Sequence, residues 1–239
     1  MAYLLLGAVV LVVVTVVAQF LKRNLINKGD SNHITLEQSS NISNIEKGIS
    51  LREALRFKQF WFVFCILFCF GYINVSVMVH IVPHSIDLGI SSSVAAGILA
   101  TIGGGMTIGI FALTSLADRI GNIKVYVIAF IIVLLSLVIL IVFQDVVWLY
   151  IFAIIFSFAN GGLAATESSL VAGLFGLRWH GVIFGLVING FTIGATLGSL
   201  VTGYLFDISG SYKSAFVILA ILILISVILS VITKPIRKT

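Results

Sequence analysis

Charge is what this chain has least of. Asp, Glu, Lys and Arg together make 10% of its 239 residues, against about 25% in an ordinary soluble domain. Hydrophobic residues make 60%, and mean hydropathy is +1.20. No water-soluble fold could hide that much apolar surface, so lipid must be the solvent for much of it. Cysteine is scarce too. Cys65 and Cys69 lie one helical turn apart inside one apolar run, where a bridge is geometrically poor, and they read as packing residues. No set of ligands suggests a metal site, and no nucleophile–base constellation suggests an enzyme. A net charge of +5 raises the question of nucleic acid, but the basic residues sit between apolar runs and form no continuous patch, which excludes that partner.

What is present is length of hydrocarbon. Seven runs have the size of a membrane span, about 20 apolar residues each: Tyr3–Phe20, Phe60–Val82, Ser93–Leu116, Val125–Phe143, Val146–Leu170, Val182–Leu205 and Ala215–Ile232. Pro83, Asp87 and Asp145 mark turns on one side; Asp118-Arg119 and Arg178-Trp179-His180 mark turns on the other. Thirteen of the fourteen Lys and Arg residues fall on the second side, and only Lys213 falls on the first. By the positive-inside rule the C-terminus is cytoplasmic, Met1 is outside, and the protein is multi-pass in the plasma (inner) membrane. An N-out start without a leader suits a piece that begins at an internal helix.

The reading is an all-α membrane protein in three parts: an isolated transmembrane helix over 1–22, a flexible cytoplasmic linker over 23–49, and a six-helix bundle over 50–239. Ser50-Leu51-Arg52-Glu53 has capping-box spacing and predicts a short helix ahead of the second span. No tandem repeat stands out. Gly105/Gly109 and Gly190/Gly194/Gly198 form small-xxx-small faces on the third and sixth spans, where helix backbones can approach closely, either as fixed packing or as a sliding interface.

The third span ends in Ala117-Asp118-Arg119-Ile120-Gly121-Asn122, which resembles the Asp-Arg-x-Gly loop of the major facilitator superfamily in its second-half copy. His80-Ile81-Val82-Pro83, Leu174-Phe175-Gly176-Leu177-Arg178-Trp179-His180-Gly181 and Gly203-Tyr204-Leu205-Phe206-Asp207-Ile208-Ser209-Gly210 resemble the oxalate/formate antiporter and monocarboxylate transporter branch. The resemblance implies helices six to twelve of a twelve-helix secondary transporter, with solute held near the midplane between two halves. It implies partners as well: the bilayer, a small-molecule solute such as a small organic acid, and an N-terminal half or a second copy of this chain. Acid-transporting members carry a cation in the helices corresponding to the third and sixth spans. Here those spans hold no Lys, Arg or His, so the charge would have to come from the other half. No cofactor is implied.

Candidate solute contacts are the polar groups at mid-depth: Tyr72, Asn74, Asn160, Asn189 and Thr192. An amide in hydrocarbon is costly unless paired, so each either binds helices together or lines a cavity. The three Asn are expected to share one surface. Glu167, the one carboxylate within a span, is a candidate for proton coupling or for pairing with Arg178. His80, near the outer end of its helix, is a candidate relay or an interfacial hydrogen bonder. Asp118, Arg119, Gly121 and Arg178 make a candidate cytoplasmic gate, with Asp118 against the N-terminus of the sixth span. Two other classes compete: a non-transporting scaffold or inactive truncated product, and a seven-helix receptor, which would want an Asn-Pro pair in its last span.

Overall fold

A computed structural model of the protein describes residues 49–233. The predicted first span, Tyr3–Phe20, and all but the last residue of the linker lie outside the described residues. Every regular segment described is helical: α1 (Leu51–Ala54), α2 (Lys58–Asp87), α3 (Ser92–Ile120), α4 (Asn122–Val142), α5 (Val146–Phe175), α6 (His180–Ser209) and α7 (Lys213–Ile232). Helices α2 to α7 are long and apolar enough to cross a membrane, and they coincide with the second to seventh predicted spans. The chain runs back and forth, so Lys58, Arg119, Lys124 and Arg178 gather at one end of the bundle, hereafter the basic end. Asp87, Asp145 and Asp207 lie at the opposite, acidic end.

The helix boundaries follow local chemistry. The capping box of α1 forms as its sequence predicts: the Ser50 hydroxyl accepts from the Glu53 amide, and the Glu53 carboxylate accepts from the Ser50 amide at 3.0 Å. Pro83 does not end α2, contrary to the sequence reading; the helix continues to Asp87. Proline forfeits one backbone bond, but His84 and Ser85 beyond it are buried, and the Ser85 hydroxyl donates to Ile81 O at 2.7 Å. Packing therefore carries the helix through, and the stop is set by Gly89, at φ +82, a conformation that a side chain would strain.

Two helix crossings hold the bundle together, α2 on α6 and α3 on α5, with α4 and α7 packed against each other and over the inner helices. Both crossings use one device. A Cβ placed on Gly194 would strike Phe68 O, and one on Gly71 would strike Phe191 O. On the other side, a Cβ on Gly109 would strike Phe158 O, and one on Gly161 would strike Met106 O. In all four helices the glycine comes three residues after the carbonyl that its partner glycine meets. The six helices are thus two three-helix units, α2–α4 and α5–α7. Because three spans reverse the chain, the second unit is inverted relative to the first. No repeat stands out in the sequence, because this backbone contact demands only one small residue per helix.

In the most apolar stretches of α2 and α5, 56% of residues are buried, against 22% in α3 and 28% in α6. The inner pair, α2 and α5, forms the core, and α3 and α6 present open faces.

Candidate solute-facing site

The helices α2 and α5 meet through their amides. Asn74 Nδ2 donates to Asn160 Oδ1 at 2.9 Å. Asn160 is 1% exposed, and its own Nδ2 has no acceptor among the described residues. One amide group of the pair is therefore satisfied and one buried donor is left over, which is a cost in any apolar medium. Tyr72, two residues before Asn74, is buried; its carbonyl meets Gly198 of α6, and its hydroxyl makes no hydrogen bond among the described residues. Tyr72 thus meets α6 through its backbone, and Asn74 meets α5 through its side chain.

Asn189 and Thr192 stand apart from them. Both lie on an exposed face of α6 and bond only their own helix, Asn189 Nδ2 to Gly185 O at 2.7 Å and Thr192 Oγ1 to Ile188 O at 3.4 Å. The structure thus joins Asn74 to Asn160 and draws Asn189 into neither contact. The face of α6 has two stripes. Val182, Leu186, Ile193, Leu197 and Leu200 form an apolar one, suited to lipid. Gly185, Asn189, Thr192 and Thr196 form a small and polar one, with Thr196 Oγ1 on Thr192 O at 2.9 Å. Sequence reading missed Thr196 and, on α3, the exposed Thr107. The repeat would have found the second: Thr107 precedes Gly109 as Thr192 precedes Gly194.

Glu167 is half-buried toward the basic end of α5 and makes no hydrogen bond or ion pair among the described residues; exposed Arg178 makes none either. Its neighbours are engaged. Thr166 donates to Gly162 O at 2.7 Å, Tyr126 of α4 donates to Leu163 O at 3.1 Å, and Ser168 bonds His180 of α6 at 3.0 Å. His80 is buried, with Nε2 3.1 Å from Ser199 O of α6. A carbonyl only accepts, so Nε2 carries the proton there. Its ring faces Tyr212 at 5.5 Å. One turn on, His84 is buried against Tyr212 and Phe216, a residue that sequence reading passed over although it repeats His80 at helical spacing.

Asp118 and Arg119 end α3, both exposed, with no hydrogen bond or ion pair to α6 among the described residues. Gly121 joins α3 to α4 at φ +91, which explains the glycine in that loop.

A family model, "Major Facilitator Superfamily", matches residues 81–239. The chain belongs to that family, whose business is membrane transport, and the receptor reading falls. No match is found among curated proteins. Among solved structures the chain is similar to the E. coli fucose:proton symporter FucP, with a TM-score of 0.70 and 20% identity over 98% of this chain and 55% of that one. FucP in the outward conformation matches with a TM-score of 0.66 at 19% identity, over 85% and 47%. An auto-inhibited POT family peptide transporter matches with a TM-score of 0.66 at 17% identity, over 77% and 39%. The chain spans about half the length of these structures or less. The likeness is one of fold.

Proposed function

We propose that the chain is the C-terminal part, helices six to twelve, of a secondary active transporter that moves a small solute by alternating access. It works against a five-helix N-terminal segment or a second copy of itself. The basic end is cytoplasmic, as its Arg and Lys residues require. The observation that carries this reading is the split face of α6. A small, polar stripe of Gly185, Asn189, Thr192 and Thr196 runs beside an apolar one. Lipid suits the apolar stripe, while the polar one suits a water-filled path or another protein surface. The Asn74–Asn160 pair adds a spare amide donor between the two inner helices. Solute binds through neutral hydrogen-bonding groups on this wall, and any acid cargo takes its counter-charge from the other half. Glu167 is the proton-coupling candidate, His80 binds α2 to α6, and Asp118, Arg119, Gly121 and Arg178 form the cytoplasmic gate.

Single cysteines test the path, after Cys65 and Cys69 are replaced by alanine. In membranes, Thr192→Cys and Thr196→Cys should react with a water-soluble maleimide, and Leu200→Cys should not. Equal protection of all three, with each protein folded, would remove the aqueous path.

A further inference from the structure

A cavity lined by none of the candidate solute contacts lies at the basic end of the bundle. It measures about 420 Å³ and opens at the basic end between the α3–α4 turn and the ends of α5 and α7. That volume is in the range of small-ligand sites. Its floor is aliphatic, from Ile120, Ile123, Leu170 and Leu174. Its rim is cationic and donor-rich: Lys124 lines it, and no ion pair among the described residues uses that charge. The first amides of α4, at Asn122 to Lys124, have no side-chain cap, because Gly121 stands at the cap position. Gly173 keeps the mouth wide, since a Cβ there would have Asn122 Nδ2 at 4.0 Å as its nearest neighbour. A narrow cleft continues inward and shares Ile123, Leu170 and Thr233. It is lined by Ser230, 2% exposed, whose hydroxyl has no partner among the described residues. Beyond Thr233 the sequence continues with Lys234, Arg237 and Lys238.

We propose that this cavity binds an anionic phospholipid. The phosphate lies at Lys124 and the α4 amides, glycerol and ester oxygens reach toward the Ser230 hydroxyl, and an acyl chain leaves over Ile123 and Leu170. Each part of the pocket meets the matching part of one amphiphile. Basic pockets between helices at the basic side of a membrane protein favour such head groups over neutral ones. The proposal does not depend on what the protein transports.

The test uses the full chain in phosphatidylcholine nanodiscs, with and without phosphatidylglycerol. The readouts are lipid adducts by native mass spectrometry and the thermal unfolding midpoint. Phosphatidylglycerol should be retained and should raise the midpoint, while inorganic phosphate at the same ionic strength should do neither. Lys124→Gln should weaken retention roughly fivefold, the factor that one basic residue near a lipid surface contributes. Gly173→Leu, which fills open space, should abolish retention while leaving the midpoint in pure phosphatidylcholine unchanged. Ser230→Ala should weaken retention less than Lys124→Gln does. Full retention by Gly173→Leu overturns the proposal, and so does an equal gain from inorganic phosphate. Tighter retention after removal of Lys234 to Thr239 would name the chain's own tail as the occupant and overturn it as well.

Discussion

The two crossings of the bundle are alike in backbone and unlike in chemistry. In α2–α6, Gly71 and Gly194 let the helices touch, and side chains then cross the gap: Thr202 donates to Ser76 at 3.2 Å, and His80 donates to Ser199 O. In α3–α5, Gly109 and Gly161 provide the same approach, but the Ser157 hydroxyl opposite Gly105 bonds its own helix at Ile154 O. Among the described residues no side-chain hydrogen bond joins α3 to α5. The close approach is what both crossings keep; the polar cross-links belong to one of them. The α3–α5 register is therefore set by glycine–carbonyl contacts and close packing alone, whereas that of α2–α6 is also fixed by side-chain hydrogen bonds.

The largest expected effect comes from disturbing the shared device. Gly194→Ala and Gly109→Ala each put a methyl into a backbone carbonyl that cannot swing aside, and overpacking of this kind costs about 1–3 kcal/mol. Both variants should lower the unfolding midpoint in detergent by similar amounts. Gly185→Ala, which meets open space, should not lower it. If Gly109→Ala were tolerated and Gly194→Ala were not, the equivalence of the two crossings would be lost.

Next in size is the amide pair. Asn74→Leu strands Asn160 with an unpaired amide oxygen as well as its spare donor, and Asn160→Leu strands Asn74. Each single change should cost about 1 kcal/mol, and the double change should recover part of that loss, because removing both polar groups removes the desolvation penalty. Strict additivity in the thermal melts would mean that the pair does not act as one. The cross-links of α2–α6 come below this. Thr202→Val should cost about 0.6 kcal/mol, the average for hydrogen bonds between membrane helices. A serine-to-alanine change at Ser157, whose hydroxyl bonds only its own helix, should be silent.

These comparisons also show how far the sequence could be read. The spans were legible because twenty-residue apolar runs are set by bilayer thickness. The glycine faces were legible because Gly190, Gly194 and Gly198 share a helical face at fixed spacing. The partner of Asn74 was not, since it lies on a helix three spans later and only tertiary packing chooses it. Pro83 misled for the opposite reason: local propensity asks for a stop, while burial of His84 and Ser85 overrides it. The outward direction of Asn189 was hidden by the same logic, because polarity alone does not say which side of a helix its neighbours will cover.

The smallest effects on folding are expected at the two Asp-x-x-Gly turns that close α3 and α6, Asp118 to Gly121 and Asp207 to Gly210. Each ends in a glycine at positive φ, +91 and +65. The turns share the spacing and the positive φ but not the shape, since ψ is 148 at Gly121 and 16 at Gly210, and they sit at opposite ends of the bundle. Asp207 has company. Burial, then the charges of Asp87 and Asp207, hold the Tyr212 hydroxyl above its usual pKa. Asp118 is exposed, with no partner among the described residues. Removing one negative charge should thus lower the Tyr212 pKa in Asp207→Asn and leave it unchanged in Asp118→Asn, with Tyr212→Phe used to isolate its signal in a spectrophotometric titration. Neither change should move the unfolding free energy of this chain by more than about 0.5 kcal/mol. Under the proposed function, the consequence of Asp118 lies in the assembled transporter. A carboxylate at a helix N-terminus contributes roughly 0.3–1 kcal/mol when exposed and up to about 2 when partly buried, enough to bias two conformations of similar energy and little enough to be broken each cycle. Asp118→Asn should therefore slow transport and raise the inward-open population, read as faster maleimide labelling of Thr192→Cys from the basic side, at an unchanged amount of folded protein. Normal transport by Asp118→Asn, or an equal slowing by Asp207→Asn, would reduce Asp118 to a solvated turn residue and dissolve the distinction between the two ends.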